Sequence, residues 1–369
     1  MTVTLKEQRL GALRWIVLSG PGTEAFGALG RHMRAEIRAV VSEWDDLARL
    51  RQHVAGPPGR ERLAAVSRAS QASFPQVWAE LAALADGAGV PLGDLAVLNF
   101  RGDLGVIGDG GGCSDLAWRR RESFIAHNED DSEFFEGRNA MLTLALEGRP
   151  AVTAFWKPGF LPSTTFTVTG TGLVWAIDHL PAASPGTYAG RHFIARGLQR
   201  CAGTLDQAVG YLQDHPSAGG FAYIIGDRSG RIVTVEALAG RYASREVGPG
   251  GPLAWHTNHG RYLAGGEADP QGTSLARGEV LQALDVPASE PDAAWFARIL
   301  AGATLPDGVR ADFSPGHPGM TLCTLIANLT NGEAVLLGRD AGAVTVPLAD
   351  LAEGRAGTAR AAGMPAERS

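Results

Sequence analysis

The hydrophobic period of this chain changes once, close to residue 110, and that change limits its folds more than any other feature. Before it, "GALGRHMRAEIRAVVSEWDDLARL" and "FPQVWAELAALADGAGV" repeat apolar residues every three or four positions, the spacing of one helix face. Pro75 stands early in the second run and Gly87-Ala88-Gly89 near its end, as helix boundaries require, and "GPPGR" at 56–60 is a loop between the two. Residues 1–100 therefore read as mainly helical after a short initial strand. Beyond Cys113 the apolar runs shorten. "SFIAHNE", "AMLTLAL", "AVTAFWKPG", "TFTVTGTGLVWAIDHL", "FAYIIGDRSGRIVTVEAL", "PLAWHTNHG" and "TLCTLIANLTNGEAVLLGR" are rich in β-branched and aromatic residues and read as strands. "GDRSGR" at 226–231 joins two of them as a hairpin does. Helical pieces are expected at 187–201, 204–214, 273–284 and 292–302. Elements in blocks, without regular βαβ alternation, point to α+β layering. There is no internal repeat, and the Ala/Gly/Arg/Pro-rich tail from about Glu353 is expected to be loose.

Composition narrows the functions. With 369 residues, 45% of them hydrophobic, the chain can bury one large core or two ordinary ones. A net charge of −6 without a basic stripe argues against nucleic acid as a partner, and Arg119-Arg120-Arg121 reads as a solvated turn. No apolar run approaches the roughly 20 residues that span a bilayer, and the start lacks a signal-peptide layout. The sequence is thus read as cytoplasmic, with no membrane partner. Its three cysteines, Cys113, Cys201 and Cys323, form no disulfide framework and no zinc-type pair.

Cys113 stands directly behind the glycines at 110–112, in "GDGGGCSDLAWRRRESFIAHNED". A free cysteine is often only a small buried hydrophobe. The glycines, however, permit backbone conformations closed to other residues. A thiol held against a Gly-Cys peptide can attack the preceding carbonyl, and hydrolysis of the resulting ester frees the Cys113 α-amine. An α-amine titrates at about 7.7–8.0, so one residue can then supply nucleophile and base together. "AHNEDD" at 126–131 reads either as an Asx-rich turn or as the source of an Asp that orients this amine, with Asn128 shaping the turn. "WHTNHG" at 255–260 offers either a turn or an Asn at a strand end that serves an oxyanion or an amine. "TSLARGEVL" at 273–281 opens a helix with Thr273 or Ser274 as cap and Arg277 on its first turn, where arginines are commonly exposed.

In this order the pieces resemble the acyl-coenzyme A:6-aminopenicillanic acid acyltransferase-like group of N-terminal-nucleophile (Ntn) hydrolases. The resemblance runs over roughly residues 60–345: a helical pre-cleavage segment, the Gly-Cys of "GGCS", the Asn-x-Asp of "HNED", the Thr-Asn-His of "HTNHG", the Ser-x-x-Arg of "TSLARGEVL" and a closing hairpin. Related bile-salt and penicillin amidases share the order Cys, Asp, Asn, Arg. The resemblance implies a four-layer αββα sandwich of two antiparallel sheets with helices outside. It implies autoproteolysis between Gly112 and Cys113 into a retained small chain, 1–112, and a nucleophile-bearing large chain, 113–369, together one domain.

By residue, the resemblance makes Cys113 the nucleophile, Asp130 the partner of its amine, Asn258 an oxyanion or amine hydrogen-bond donor and Arg277 an electrostatic support. Ser114, Asp115, His127, Asn128 and His259 are the candidates for substrate contact. Asp115 stands where the family commonly has a hydroxyl, His127 where Arg or Gln is frequent, and Gly260 where an aromatic follows the Thr-Asn-His. Acidic residues crowd the nucleophile in sequence (Asp115, Glu129, Asp130, Asp131, Glu133), either as a solvated hairpin tip or as a site for a cationic amine. The expected reaction is cleavage of a linear amide in a small molecule or peptide-like metabolite through a Cys113 thioester. The alternative is acyl transfer from acyl-coenzyme A or an amide donor to an amine. Neither requires a metal or an organic cofactor. The expected partners are the small-molecule substrate and the two cleaved chains for each other, with homo-oligomerisation left open. Cys201 and Cys323 are expected to be structural.

Overall fold

The computed structural model describes residues 2–105, 112–248, 251–263, 272–285, 287–314, 319–339 and 342–362. The glycines at 110 and 111 and the last seven residues of the tail lie outside the described residues. A hairpin comes first, β1 (Thr4–Leu10) and β2 (Leu13–Gly20), where the sequence suggests a single strand. Six helices follow: α1 (Gly22–His32), α2 (Arg34–Glu43), α3 (Asp45–Ala55), α4 (Pro57–Ser73), α5 (Pro75–Ala88) and α6 (Leu92–Asn99). Pro57 and Pro75 open α4 and α5, where a missing N–H costs nothing, and Gly89 closes α5 in the left-handed conformation at φ 67°.

The remaining strands are β3 (Gly112–Arg119), β4 (Ser123–Ser132), β5 (Ala140–Leu146), β6 (Val152–Trp156), β7 (Thr167–Thr169), β8 (Val174–Leu180), β9 (Gly220–Gly226), β10 (Ile232–Leu238), β11 (Arg241–Val247), β12 (Leu253–His256), β13 (Gly319–Asn328), β14 (Glu333–Gly338), β15 (Val344–Pro347) and β16 (Arg360–Ala361). They build a nine-stranded sheet in the order β1-β2-β5-β6-β7-β8-β9-β10-β11 and a seven-stranded sheet in the order β12-β3-β4-β13-β14-β15-β16. The helices among them are α7 (Arg191–Cys201), α8 (Leu205–Asp214), α9 (Ser274–Gln282) and α10 (Ala293–Ala297), close to where the sequence indicates them, and α11 (Leu348–Ala352), which the sequence reading does not include. The "GDRSGR" turn does join β9 to β10. The tail departs from expectation in part, since β16 pairs with β15.

Strand alternation sorts the layers. Trp175 and Ile177 of β8, with Tyr223 and Ile225 of β9, pack on α7 and α8. Leu116 and Trp118 of β3, with Phe124 and Ala126 of β4, pack on α9 and α10 on the other side. The alternate residues Ala117, Ile125, Ala176 and Ile224 meet between the sheets. The result is a four-layer αββα sandwich. One sheet is mixed: β2 runs parallel to β5, with Trp15 opposite Met141, because the chain returns to this edge only after six helices and the β3–β4 hairpin. The others among these strand pairs are antiparallel. No helix among the described residues is long and apolar enough to cross a membrane.

Candidate active site

The β3–β4 hairpin sets the register of the site. Cys113 is opposite Glu129, and Gly112 is opposite Asp130. Cross-strand partners share a face, so Cys113 and Glu129 both point between the sheets, with Asp115 and His127 one pleat further along. Cys113 is 7% exposed. Its Sγ lies 3.6 Å from Glu129 Oε2. Burial pushes the thiol well above its usual range, Glu129, Asp178 and Asp130 push it further, and Lys157 opposes them.

The backbone of the same residue is gripped from α9 and from the end of β12. Its N–H donates to Asn258 Oδ1 at 2.9 Å. Arg277 donates to the Cys113 carbonyl, to Ser114 Oγ at 2.7 Å and to Asn258 Oδ1 at 2.7 Å. Asn258 Nδ2 donates to the His179 carbonyl at 3.2 Å, so in this arrangement Asn258 accepts from Cys113 and does not donate into an oxyanion site. Thr273 does not cap α9 with its side chain; its hydroxyl accepts from Arg277 Nε at 3.0 Å and aims the guanidinium. Arg277 is 3% exposed, unlike the solvated arginine common on a first turn. A Cβ at Gly112 would lie 2.6 Å from Arg277 Nη2 and 3.1 Å from Asn258 Oδ1, so any larger residue before Cys113 would have to displace the guanidinium from its hydrogen bonds.

Asp130 is buried beside this grip. Its Oδ1 accepts from Thr321 Oγ1 at 2.6 Å, and its Oδ2 has no hydrogen-bond partner among the described residues. Burial pushes its carboxyl up to about 6, against the pull of Arg277 and Thr321.

Behind the thiol runs a buried line of alternating charge. His127 Nδ1 is 2.7 Å from Asp115 Oδ1, His127 Nε2 is 3.3 Å from Glu129 Oε2, and Lys157 Nζ is 2.6 Å from Glu129 Oε1. Lys157 also pairs with Asp131, which Arg101 approaches at 3.5 Å. Burial alone would lower His127, but Asp115 and Glu129 push it up to about 10. The acidic cluster is thus neither a solvated tip nor a row of free carboxylates; of its five members only Glu133 is exposed. Two buried trios, Cys113–His127–Glu129 and Asp115–His127–Asp178, each bring three potential metal-ligating atoms within 4.8 Å of one another. In the first trio, hydrogen bonds within the line already engage those atoms.

A pocket opens beside Cys113, with Asn258, Glu129, Asp130, Arg101, Arg191 and Trp44 in its wall. Ser114, Asp115, His127, Asn128 and His259, the sequence-derived candidates for substrate contact, do not line it. Ser114 and Asn128 face the outer helices: Ser114 meets Arg277, and Asn128 donates to the Leu300 carbonyl. Asp115 Oδ1 meets His127 Nδ1 and its Oδ2 has no hydrogen-bond partner among the described residues, His127 Nε2 faces Glu129, and His259 Nδ1 ties Thr257 to Ser274 at 2.9 Å each. The sequence reading missed Lys157 and Arg101, and placed Glu129 only within the acidic cluster, without its contact to the thiol. The signal available was the period of two, which places 127, 129 and 131 on one face of a strand. Cys323 is buried, as a structural residue should be, whereas Cys201 is exposed at the end of α7.

Residues 118–301 match the family described as acyl-coenzyme A:6-aminopenicillanic acid acyl-transferase. The matched stretch takes in Asp130, Asn258 and Arg277 and begins after Cys113; it is narrower than the resemblance read from the sequence. No curated protein matches the chain. Among solved structures, penicillin V acylase from Agrobacterium tumefaciens is similar at 12% identity and a TM-score of 0.37, over 64% of this chain and 86% of that one. A cysteine-to-alanine mutant of conjugated bile acid hydrolase from Clostridium perfringens is similar at 11% identity and a TM-score of 0.40, over 68% and 96%.

Proposed function

We propose that the chain is a self-cleaving amidohydrolase with Cys113 as nucleophile, a member of the acyl-coenzyme A:6-aminopenicillanic acid acyl-transferase family that its residues 118–301 match. One observation carries this reading: the Cys113 nitrogen is already held 2.9 Å from Asn258 Oδ1, beside a glycine packed against Arg277. Scission at Gly112–Cys113 turns that nitrogen into an α-amine without moving it. Asn258 Oδ1 then accepts from the amine, and the unpartnered Asp130 Oδ2 supplies a carboxylate for its charged form.

In the reaction, Sγ attacks the substrate carbonyl carbon while the α-amine takes the thiol proton. The tetrahedral intermediate expels the substrate's amine, which leaves with that proton, and a thioester remains on Cys113. Water, activated by the freed α-amine, releases the acid and restores the thiol. An amine acceptor competes with water for the same thioester, so acyl transfer is the second reading, and the family's description favours keeping it. The mixed polarity of the pocket wall, which holds Arg101 and Arg191 as well as Glu129 and Asp130, supports a polar or peptide-like substrate.

The test is intact-mass analysis of the purified protein, alone and with a panel of linear amides. Fragments of 1–112 and 113–369 and an acyl adduct on the larger one are expected. A single uncleaved chain that turns over amides at full rate sinks the reading.

A further inference from the structure

The reaction above relies on a free α-amine as base, and the uncleaved chain has none: the Cys113 nitrogen is still an amide. The first scission therefore needs another proton acceptor for the thiol. We propose that Glu129 is that acceptor, the base of self-cleavage as distinct from the base of turnover; this rests on the reading that the chain cleaves at Gly112–Cys113.

The geometry is specific. Glu129 is the cross-strand partner of Cys113, and its Oε2 lies 3.6 Å from Sγ. No other carboxylate oxygen is hydrogen-bonded to Sγ among the described residues. Two cations hold this carboxylate in place, Lys157 on Oε1 at 2.6 Å and His127 on Oε2 at 3.3 Å. Asp115 in turn fixes the His127 ring at 2.7 Å. Lys157, Glu129 and Asp131 are each almost fully buried, so water cannot substitute readily. Self-cleavage occurs once per molecule, so its base need not be reset for rapid turnover. Lys157 also lowers the cost of forming thiolate beside it.

The step balances as follows. The S–H proton passes to Glu129 as Sγ bonds to the Gly112 carbonyl carbon. Collapse of the tetrahedral adduct breaks the C–N bond, and the proton returns from Glu129 to the departing Cys113 nitrogen. Water then hydrolyses the Gly112 thioester, giving the Gly112 carboxylate and the Cys113 thiol, and the proton released is taken up by the freed α-amine. No oxidant or co-reactant enters.

The experiment is a pulse-chase of the full chain in cell-free synthesis, read by gel and intact mass, for wild type, Glu129→Gln and Glu129→Asp. Wild-type scission with Glu129→Gln slowed by at least about 10²-fold, the usual scale of a general base, supports the proposal. Near-UV circular dichroism verifies that the variant is folded. Should Glu129→Gln not fold, Glu129→Asp decides: the carboxylate is kept but withdrawn by one methylene, and scission slowed several-fold supports the role. Glu129→Ala should regain scission as formate is added, a response that loss of packing alone would not give. Scission of a folded Glu129→Gln or Glu129→Asp at the wild-type rate overturns the proposal and leaves the self-cleavage reading intact. A wild-type chain that never cleaves overturns both.

Discussion

The Cys113 backbone nitrogen and the side-chain oxygen of Asn258, 145 positions apart in sequence, lie 2.9 Å from each other. Arg277 donates to the same oxygen and fixes it against that nitrogen. Asn258→Ala should lower kcat/KM of the cleaved protein by about 10²-fold, the usual cost of a misplaced reacting group. Asn258→Asp, which keeps the acceptor oxygens, should lose less. Steady-state kinetics on one amide substrate distinguish the two, and equal losses would refute the acceptor role.

Arg277 donates to three oxygens that are otherwise enclosed. Arg277→Met takes its donor from the Cys113 carbonyl and Ser114 Oγ, while Asn258 Oδ1 keeps the Cys113 N–H, and should cost about 1–3 kcal/mol in urea unfolding. Arg277→Lys keeps the charge but loses the fork that spans Ser114 and Asn258. It should fold better than the Met variant and still cleave slowly. A fully active Lys variant would mean that charge alone suffices.

Two buried histidines make stability fall in alkali. His127, between Asp115 and Glu129, and His256, between Asp178 and Glu236, are both pushed up to about 10 despite burial. In the unfolded chain histidine titrates near 6.5. Between those values the folded form binds protons that the unfolded form releases, so unfolding becomes easier as pH rises. This contribution is complete below about 6.5 and lost through about 10. Melting temperatures measured from pH 6.5 to 10 should decline, and His256→Asn should flatten the slope. A rising melting temperature over that interval contradicts the paired state of both rings.

Thiol labelling should follow exposure before it follows chemistry. Cys201 is exposed, whereas Cys113 and Cys323 are buried and their thiols pushed up. In the uncleaved chain iodoacetamide should modify Cys201 first. Scission places a cationic amine beside the Cys113 thiol and should raise its rate above that of Cys201. Peptide mapping against time reads the order in each form, and Cys201→Ser should retain turnover.

Asp115 faces His127 and lies away from the pocket wall, so Asp115→Asn should reduce scission or turnover for cationic and neutral amides alike. Matched kcat/KM values on the two kinds of amide check this. A selective loss with the cationic amide would return Asp115 to substrate recognition.

The layered α+β fold was legible because Trp175, Tyr223 and Trp118 announce strand faces by alternation, and "FPQVWAEL" announces a helix by its proline and spacing. The β1–β2 hairpin was less so: Arg14 breaks the apolar run, yet it sits at a paired edge where its charge reaches Glu7 and Glu36. At the site, Cys113, Asn258 and Arg277 converge as their motifs suggest. The acids around Cys113 read as a solvated tip or a site for a cationic amine, because sequence shows the carboxylates at 129–131 but not Lys157 arriving from beyond β6 to neutralise them. Long-range pairing, absent from any local window, decided between a solvated tip and a charged interior.

The segment before Cys113 is woven into the rest of the molecule. β2 lies between β1 and β5, Trp15 donates to Thr143 at 2.9 Å, and Arg196 of α7 donates to Glu80 of α5 at 2.8 Å. While the backbone is continuous, refolding is a one-body event whose rate is independent of concentration. A cut at Gly112–Cys113 makes it a two-body event, with stability tied by mass action to how often two separate polypeptides meet. The native particle would survive the cut through its unfolding barrier, and once dispersed at high dilution it would reassemble slowly or not at all. Self-cleavage would then act as a ratchet: a fold reached as one chain and afterwards kept by kinetics.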